Sequence, residues 1–506
     1  MAFRKITFPD VYRRNAQLYG DRTAFLFEGQ RVTHREYLLR VERLAAGLAV
    51  SGVSAGDRIA VLSQNSLEMI DLIGAVARLG AILLPVNFRL STEEIEYVLR
   101  DATPGIVIVG NDYKEVIASI LPSLPFAKQC FATGQQSRSD QFEPFGVLSE
   151  IDAGVSFERE IDPDAGFVII HTAAVGGKPR GALLSQTNLL TAQSSLLQCW
   201  NLNEFDINFG ALPLFHIAGL GLLLATQQAG GASVVAASFD PVRAVRDIVS
   251  KKITVLCEFA PMLANLMAEA KHGELATLRM VTGLDTPECI ERFESEYRSA
   301  TFWSTFGQTE TSGLTTLSPY RDRPRSAGRP LFWRILAVVD TADALCPAGT
   351  VGEIVVRGPT VFQGYWNNEN ATSFTLRNGW HHTGDMGYID PEGYLWYSGR
   401  APEKELIKTG GENVYPTEVE NVIRCHPAVA EVVVIGVPDQ QWGEAIKAIC
   451  ILHSGATATK DEIISFVAGQ IARYKKPKHL IFVATLPRDQ RGEIDRVAVK
   501  REQGEV

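Results

Sequence analysis

Five short runs limit what this chain can become. RIAVL (58–62), GIVIVG (105–110), GFVIIHT (166–172), ASVVAA (232–237) and ITVLCEF (253–259) are rich in β-branched residues and almost uniformly apolar. A strand reads that way when both of its faces are covered. Between such runs lie segments of helical periodicity, for example LEMIDLIGAVARLG (67–80), and strands alternating with helices make parallel βαβ units. The expected fold class is therefore α/β with parallel sheets. From about Val351 the texture changes. VGEIVVRG, GWHHTGDMGYID and GYLWYSG predict short antiparallel strands joined by Gly and Asp-Pro turns.

After Arg400 a polar bridge, APEKE (401–405), leads into about a hundred residues with a pattern of their own. Helices are expected over 417–425 and 461–473, and strands over 429–437, 445–453 and 479–483, enough for a small α+β domain. The expected division is 1–400, 401–405 and 406–506. At 506 residues and 46% hydrophobic composition the chain is too long for one core.

The net charge of −9 argues against a nucleic-acid partner, because such binding rests on clustered Lys and Arg. Seven cysteines with no CxxC or Cys-His spacing suit a reducing cytosol. MAFRKITFPDVYRR lacks a signal-peptide core, and the most apolar stretch, 212–225, is too short to span a bilayer. A soluble cytoplasmic protein with no transmembrane segment is the expectation.

Residues 171–181, HTAAVGGKPRG, follow an apolar strand and combine glycines, a threonine hydroxyl and two cations. Such a loop can wrap phosphate oxygens with backbone N–H groups; a Gly- and Pro-rich surface turn is the plainer alternative. It is not a Walker loop, since Pro179 stands where a metal-holding hydroxyl should follow the lysine. In FGQTE (306–310) a hydroxyl and a hard carboxylate lie beside an aromatic, a set suited to a magnesium-bound triphosphate and a base. Asp385 can accept from two sugar hydroxyls and Arg400 can donate to the same sugar; an Asx-turn and a surface ion pair are the alternatives.

The loop resembles the phosphate loop of the adenylate-forming superfamily, which includes acyl-CoA synthetases, coumarate ligases, firefly luciferase and peptide-synthetase adenylation domains. The resemblance continues in order through LPLFHIAG (212–219), STFGQTETSG (304–313), SAGRP (326–330), GEIVVRGPTVFQGYW (352–366), HTGDMGYID (382–390), SGR (398–400), IKTGGENVYPTEVE (407–420) and YKKPKH (474–479). It implies a large N-terminal domain of parallel sheets and a small distorted barrel, a hinge at 401–405 and a mobile C-terminal lid. It also implies ATP-dependent adenylation of a fatty, alicyclic or aromatic carboxylic acid, followed by transfer to coenzyme A, with Mg²⁺ as the metal. A homodimer is compatible with it.

Residue by residue, the resemblance gives Thr172, Gly176, Gly177, Lys178 and Arg180 to the phosphates and Thr309 to the α-phosphate. It gives Glu310 to Mg²⁺, Phe306 with Gly307 and Gln308 to the adenine side, and Asp385 and Arg400 to the ribose. Gly283 lets adenine lie close to backbone, and Leu284 and Phe302 wall the acyl pocket. His216 gates that pocket. Lys404 is the hinge, and Gly410, Gly411 and Glu412 line the pantetheine channel.

Two departures stand out. Ala173, Ala174 and Val175 replace hydroxyl-rich loop positions, and Arg180 replaces the usual lysine while keeping its charge. Near the C-terminus, LPRDQRGEIDR (486–496) puts Glu493 where the family has its adenylating lysine. A carboxylate there repels both anions by about 1–4 kcal/mol at ~4 Å for effective dielectrics of roughly 80 to 20. Arg491, Arg496 or Lys500 is expected to substitute; the alternatives are an enzyme of the thioester-forming half-reaction only, or a non-catalytic nucleotide- or acyl-binding relative.

Overall fold

Two-sided burial accounts for the apolar runs. In the strand Arg58–Leu62 of the computed structural model, Ile59 and Val61 pack into one core while Ala60 and Leu62 pack into another. The structure describes residues 5–134, 139, 141–150, 160–172, 179–400, 406–410, 412–439, 442–488 and 494–504. Its first sheet has eight strands, with Ile82–Pro85, Arg58–Leu62, Ile106–Val109 and Gln129–Ala132 parallel at its centre. Gly166–Thr172 joins them in parallel and then turns back on Arg180–Ser185 as an antiparallel hairpin.

The second sheet has nine strands. Thr301–Gln308, Met280–Leu284, Val255–Phe259, Ile207–Gly210, Ala232–Val235 and Thr23–Phe27 form its parallel body. Helices Phe8–Leu18, His34–Val50, Leu67–Leu79, Gln186–Trp200 and Ile217–Ala229 are shared, at least in part, by the core that joins the two sheets. The helix Leu67–Leu79 is buried on nearly every side, which is why its sequence is apolar all round.

A five-stranded antiparallel sheet follows, with Ile335–Val339, Gly352–Arg357, Trp380–Ile389 and Leu395–Arg400 as its main strands. Beyond it the chain forms a second five-stranded sheet. Val429–Asp439 and Gly443–Leu452 pair antiparallel, and His479–Phe482 joins in parallel. Helices Pro416–Arg424 and Lys460–Ala468 supply buried residues to a core shared with this sheet, and Arg496–Gln503 packs through Val499 into another. The helix expected over 461–473 is shorter. It is capped by Thr459 and Glu462 and stops at Gly469, and a separate 3₁₀ turn covers Arg473–Lys475. No helix among the described residues is long and apolar enough to cross a membrane.

Asn65 ties the two large sheets together. It is 2% exposed, donates to the carbonyls of Leu212 (3.0 Å) and Ala236 (3.1 Å), and accepts from Leu214 N (2.9 Å). Both carbonyls follow strands of the second sheet, while Asn65 follows a strand of the first. Asn65→Ala strands these buried groups, and we expect a loss of about 1–3 kcal/mol in urea unfolding. An unchanged midpoint would show that the loops are held by their apolar contacts alone.

Candidate active site

A cavity of about 550 Å³ lies where strand ends of the second sheet, the antiparallel sheet and the C-terminal domain meet. The strand Thr301–Gln308 contributes Phe302, Phe306, Gly307 and Gln308 to its wall, and the turn after it contributes Thr309 and Glu310. Both turn residues are buried. Glu310 Oε1 accepts from the Tyr365 hydroxyl (2.8 Å) and, at 3.5 Å, from the Thr172 hydroxyl. Burial, then the Glu310 charge, raises the Tyr365 hydroxyl, so it remains a donor. The Arg180 guanidinium lies over the Tyr365 ring, 5.6 Å from its centroid. Gly283 has φ +147°, and a Cβ there would sit 1.8 Å from the Glu258 carbonyl oxygen. Only glycine fits this close approach.

Asp385 is 2% exposed and lies at the centre of a polar group. Gln308 Nε2 donates to its Oδ2 and also to the Thr383 carbonyl (3.0 Å), while Gln308 Oε1 meets His381 Nε2 (3.2 Å). Arg400 Nε lies 3.0 Å from Asp385 Oδ1, and the Tyr397 hydroxyl donates to the same oxygen at 3.3 Å. Burial is the largest influence on the Arg400 pKa and lowers it, but Asp385, Tyr415 and Tyr397 together outweigh it and the net direction is upward. Arg400 also donates to the Tyr415 hydroxyl (3.3 Å).

The C-terminal domain closes the cavity with Lys408, Asn413 and Tyr415. Its Glu412 is buried; its Oε1 pairs with Arg89 and its Oε2 lies 3.5 Å from His216 Nε2. Burial alone would raise this carboxyl, yet His216 and Arg89 together hold it at about 2. A second bridge runs the other way. Lys475, 3% exposed, reaches Glu94 of the large domain and Glu418 of its own domain (2.6 Å). Gly410 has φ +57°, and a Cβ there would meet the Trp442 ring at 2.7 Å.

The structure thus gathers Thr172, Arg180, His216, Gly283, Leu284, Phe302, Phe306, Gly307, Gln308, Thr309, Glu310, Asp385 and Arg400 around one cavity, with Glu412 against His216. It does not bring Arg496 there. That guanidinium donates to buried Glu420 (2.6 Å) and to the Val434 carbonyl (2.7 Å), inside the C-terminal domain. Gly176, Gly177, Lys178, Lys404, Gly411, Arg491 and Glu493 lie outside the described residues.

Sequence reasoning missed Lys408, Tyr365, Tyr397 and Tyr415. Lys408 sits inside the quoted IKTGG segment, and its ammonium lies 5.8 Å from the Tyr397 ring centroid. The residue as a whole is exposed, but loss of water around its ammonium, then neighbouring Arg400, lowers its pKa. A wholly buried Glu258 was also missed; burial, then Asp285 on the cavity wall, raises it well above the ordinary carboxyl range.

Comparison with known proteins agrees with this layout. The model of the AMP-binding enzyme family matches residues 12–366, and that of the AMP-binding enzyme C-terminal domain matches residues 418–493. The indoleacetate–CoA ligase of Aromatoleum aromaticum is 33% identical over 496 residues, 96% of each chain. A Rhodopseudomonas palustris structure provisionally named a long-chain-fatty-acid CoA ligase is 60% identical, with a TM-score of 0.76. It covers 78% of this chain and all of its own. The o-succinylbenzoate CoA synthetase of Bacillus subtilis, 29% identical and covering 97% of this chain and 98% of its own, has been solved in more than one complex. As a double mutant with its product analogue OSB-NCoA it gives a TM-score of 0.85; with the acyl-adenylate OSB-AMP it gives 0.70.

Breaking a buried ion pair by removing one partner costs about 3–5 kcal/mol; this applies to Lys475, whereas Arg89 is 41% exposed and its loss costs less. Lys475→Met and, from the large-domain side, Arg89→Ala should therefore release the C-terminal domain. The expected outcome is a larger radius of gyration by small-angle X-ray scattering in both variants. Scattering identical to the wild type would mean that these bridges do not hold the domain in place.

Proposed function

The chain belongs to the AMP-binding enzyme family, and from that premise we propose that it activates an apolar, ring-bearing carboxylic acid with ATP and passes the acyl group to coenzyme A. It is an AMP-forming acid–CoA ligase: the acid becomes an acyl-adenylate, then a thioester. Its relatives carry the names indoleacetate–CoA ligase, 2-succinylbenzoate–CoA ligase and feruloyl-CoA synthase. The observation that carries the reading is one cavity in which Thr309 with Glu310, Asp385 with Arg400, and an apolar wall around Ile217 and Phe302 converge.

A carboxylate is a poor acyl donor because oxide would have to leave. Joining it to the α-phosphorus of ATP, with pyrophosphate departing, gives a mixed anhydride that a thiol can attack. In this reading Asp385 accepts the ribose hydroxyls and Arg400 orients its carboxylate. Phe306 and Gly283 form the adenine slot, and Thr172, Thr309 and Arg180 face the phosphates, where positioning and charge neutralisation do most of the catalysis. Glu310 suits Mg²⁺, being a hard carboxylate on the wall with Oε1 fixed by Tyr365; the ion when bound neutralises phosphate charge. Gly176, Gly177 and Lys178 complete the phosphate loop, and Lys404 with 401–405 is the hinge between domains 1–400 and 406–506.

The B. subtilis comparison bears on the second step. One relative superposes better in its OSB-NCoA form than in its OSB-AMP form, which supports an arrangement here suited to thioester formation. Glu412, Gly410 and Gly411 then border the thiol's route, with His216 as its gate. Arg496 is committed to Glu420, so Arg491 or Lys500 stands in for the family lysine during adenylation. The alternatives raised by Glu493 gain no support from the relatives, which carry ligase names.

With Mg-ATP and aromatic, alicyclic or fatty acids, the purified protein should release pyrophosphate, and with coenzyme A it should form thioester. Asp385→Asn should lower kcat/KM for ATP by about 10- to 100-fold, since a buried carboxylate acceptor is lost. Lys500→Ala combined with Arg491→Ala should slow pyrophosphate release yet spare thioester formation from supplied acyl-adenylate. No product from any acid would overturn the reading.

A further inference from the structure

Beside the main cavity is an annex of about 30 Å³ between helices Gln186–Trp200 and Ile217–Ala229. It shares Ile217, Ala218, Cys257, Gly313 and Leu314 with the larger cavity, so it adjoins the wall given to the acid. Leu196, Leu222 and Leu314 make most of it apolar.

One polar group breaks that lining. Gln193 is 1% exposed, and its Nε2 has no hydrogen-bond partner among the described residues. The amide nitrogen lies against Gly221, where an added Cβ would come within 3.4 Å of it. Trp200, 3% exposed and also on the annex wall, has an Nε1 with no hydrogen-bond partner among the described residues. The annex hydroxyls are committed elsewhere: Thr282 donates to the Trp303 carbonyl (3.0 Å) and Ser312 to the Thr360 carbonyl (2.7 Å). Buried N–H donors are nearly always met by an acceptor, so the Gln193 donor on this small cavity, with Trp200 on the same wall, points to an acceptor that enters it. A lone water makes two to four hydrogen bonds, and the two donors meet only the lower end of that range.

Size and charge narrow the visitor. A space of about 30 Å³ takes roughly two heavy atoms, at 10–15 Å³ per water-sized group, which excludes an alkyl tail. No cation among the described residues lines the annex, so a carboxylate substituent is disfavoured and a neutral oxygen fits.

We infer that Gln193 determines specificity for the acid: its Nε2, with Trp200 Nε1, binds the oxygen of a small neutral ring substituent, a hydroxyl or methoxy group, while the ring lies on the shared apolar wall. The inference rests on the ligase reading and names the acid's class more closely.

The test pairs phenylacetate with its hydroxy and methoxy derivatives at each ring position. Affinity is read by calorimetry without turnover, and kcat/KM by thioester formation. In the wild type at least one derivative should bind about 10- to 100-fold more tightly than phenylacetate, because without the substituent the donors stay unpaired. Gln193→Leu and the length-preserving Gln193→Met should bring that ratio towards one. Equal affinities in the wild type, an unchanged ratio in both variants, or no binding of any member would overturn the inference. Thioester formed with no such preference would sink it while leaving the ligase reading intact; tight, Gln193-dependent binding without thioester would do the reverse.

Discussion

The arrangement of the whole molecule turns on the Glu412 carboxylate. A buried anion is tolerated only where cations meet it, and both of its partners, Arg89 and His216, belong to the large domain. Lys475 makes the reciprocal contact, a buried cation of the small domain that needs Glu94 of the large one. Each domain therefore supplies the charge that the other lacks. Such pairs fix orientation more than they add net stability. The orientation they fix is the one that puts Lys408, Asn413 and Tyr415 on the cavity wall.

The α/β class was legible because a strand covered on both faces has no place for polar residues; Ile59 and Val61 face one core, Ala60 and Leu62 another. The motifs named most of the residues that line the cavity, since each carries its chemistry within a few positions, as FGQTE does. What they could not give was reach. Tyr365 meets Glu310 across 55 positions, Arg496 is taken up by Glu420 across 76, and Glu412 finds Arg89 across 323. Gln193 was invisible for another reason. In sequence it is an ordinary polar residue of a helix, and its burial, with a second helix close against it at Gly221, is visible only in the packing.

A chain with a net charge of −9 has to hold its anionic substrates locally, and the cavity shows how. Arg180, Arg400 and Lys408 converge on it from the hairpin of the first sheet, the antiparallel sheet and the C-terminal domain. Each has a stacking or acidic neighbour: Tyr365 under Arg180, Asp385 beside Arg400, Tyr397 under Lys408. The cations are thus fixed in place before any phosphate arrives, and little reorganisation is left for the moment of reaction. Of the three, only Lys408 rides on the small domain. The charge that the wall presents to the substrate therefore depends in part on where the small domain sits.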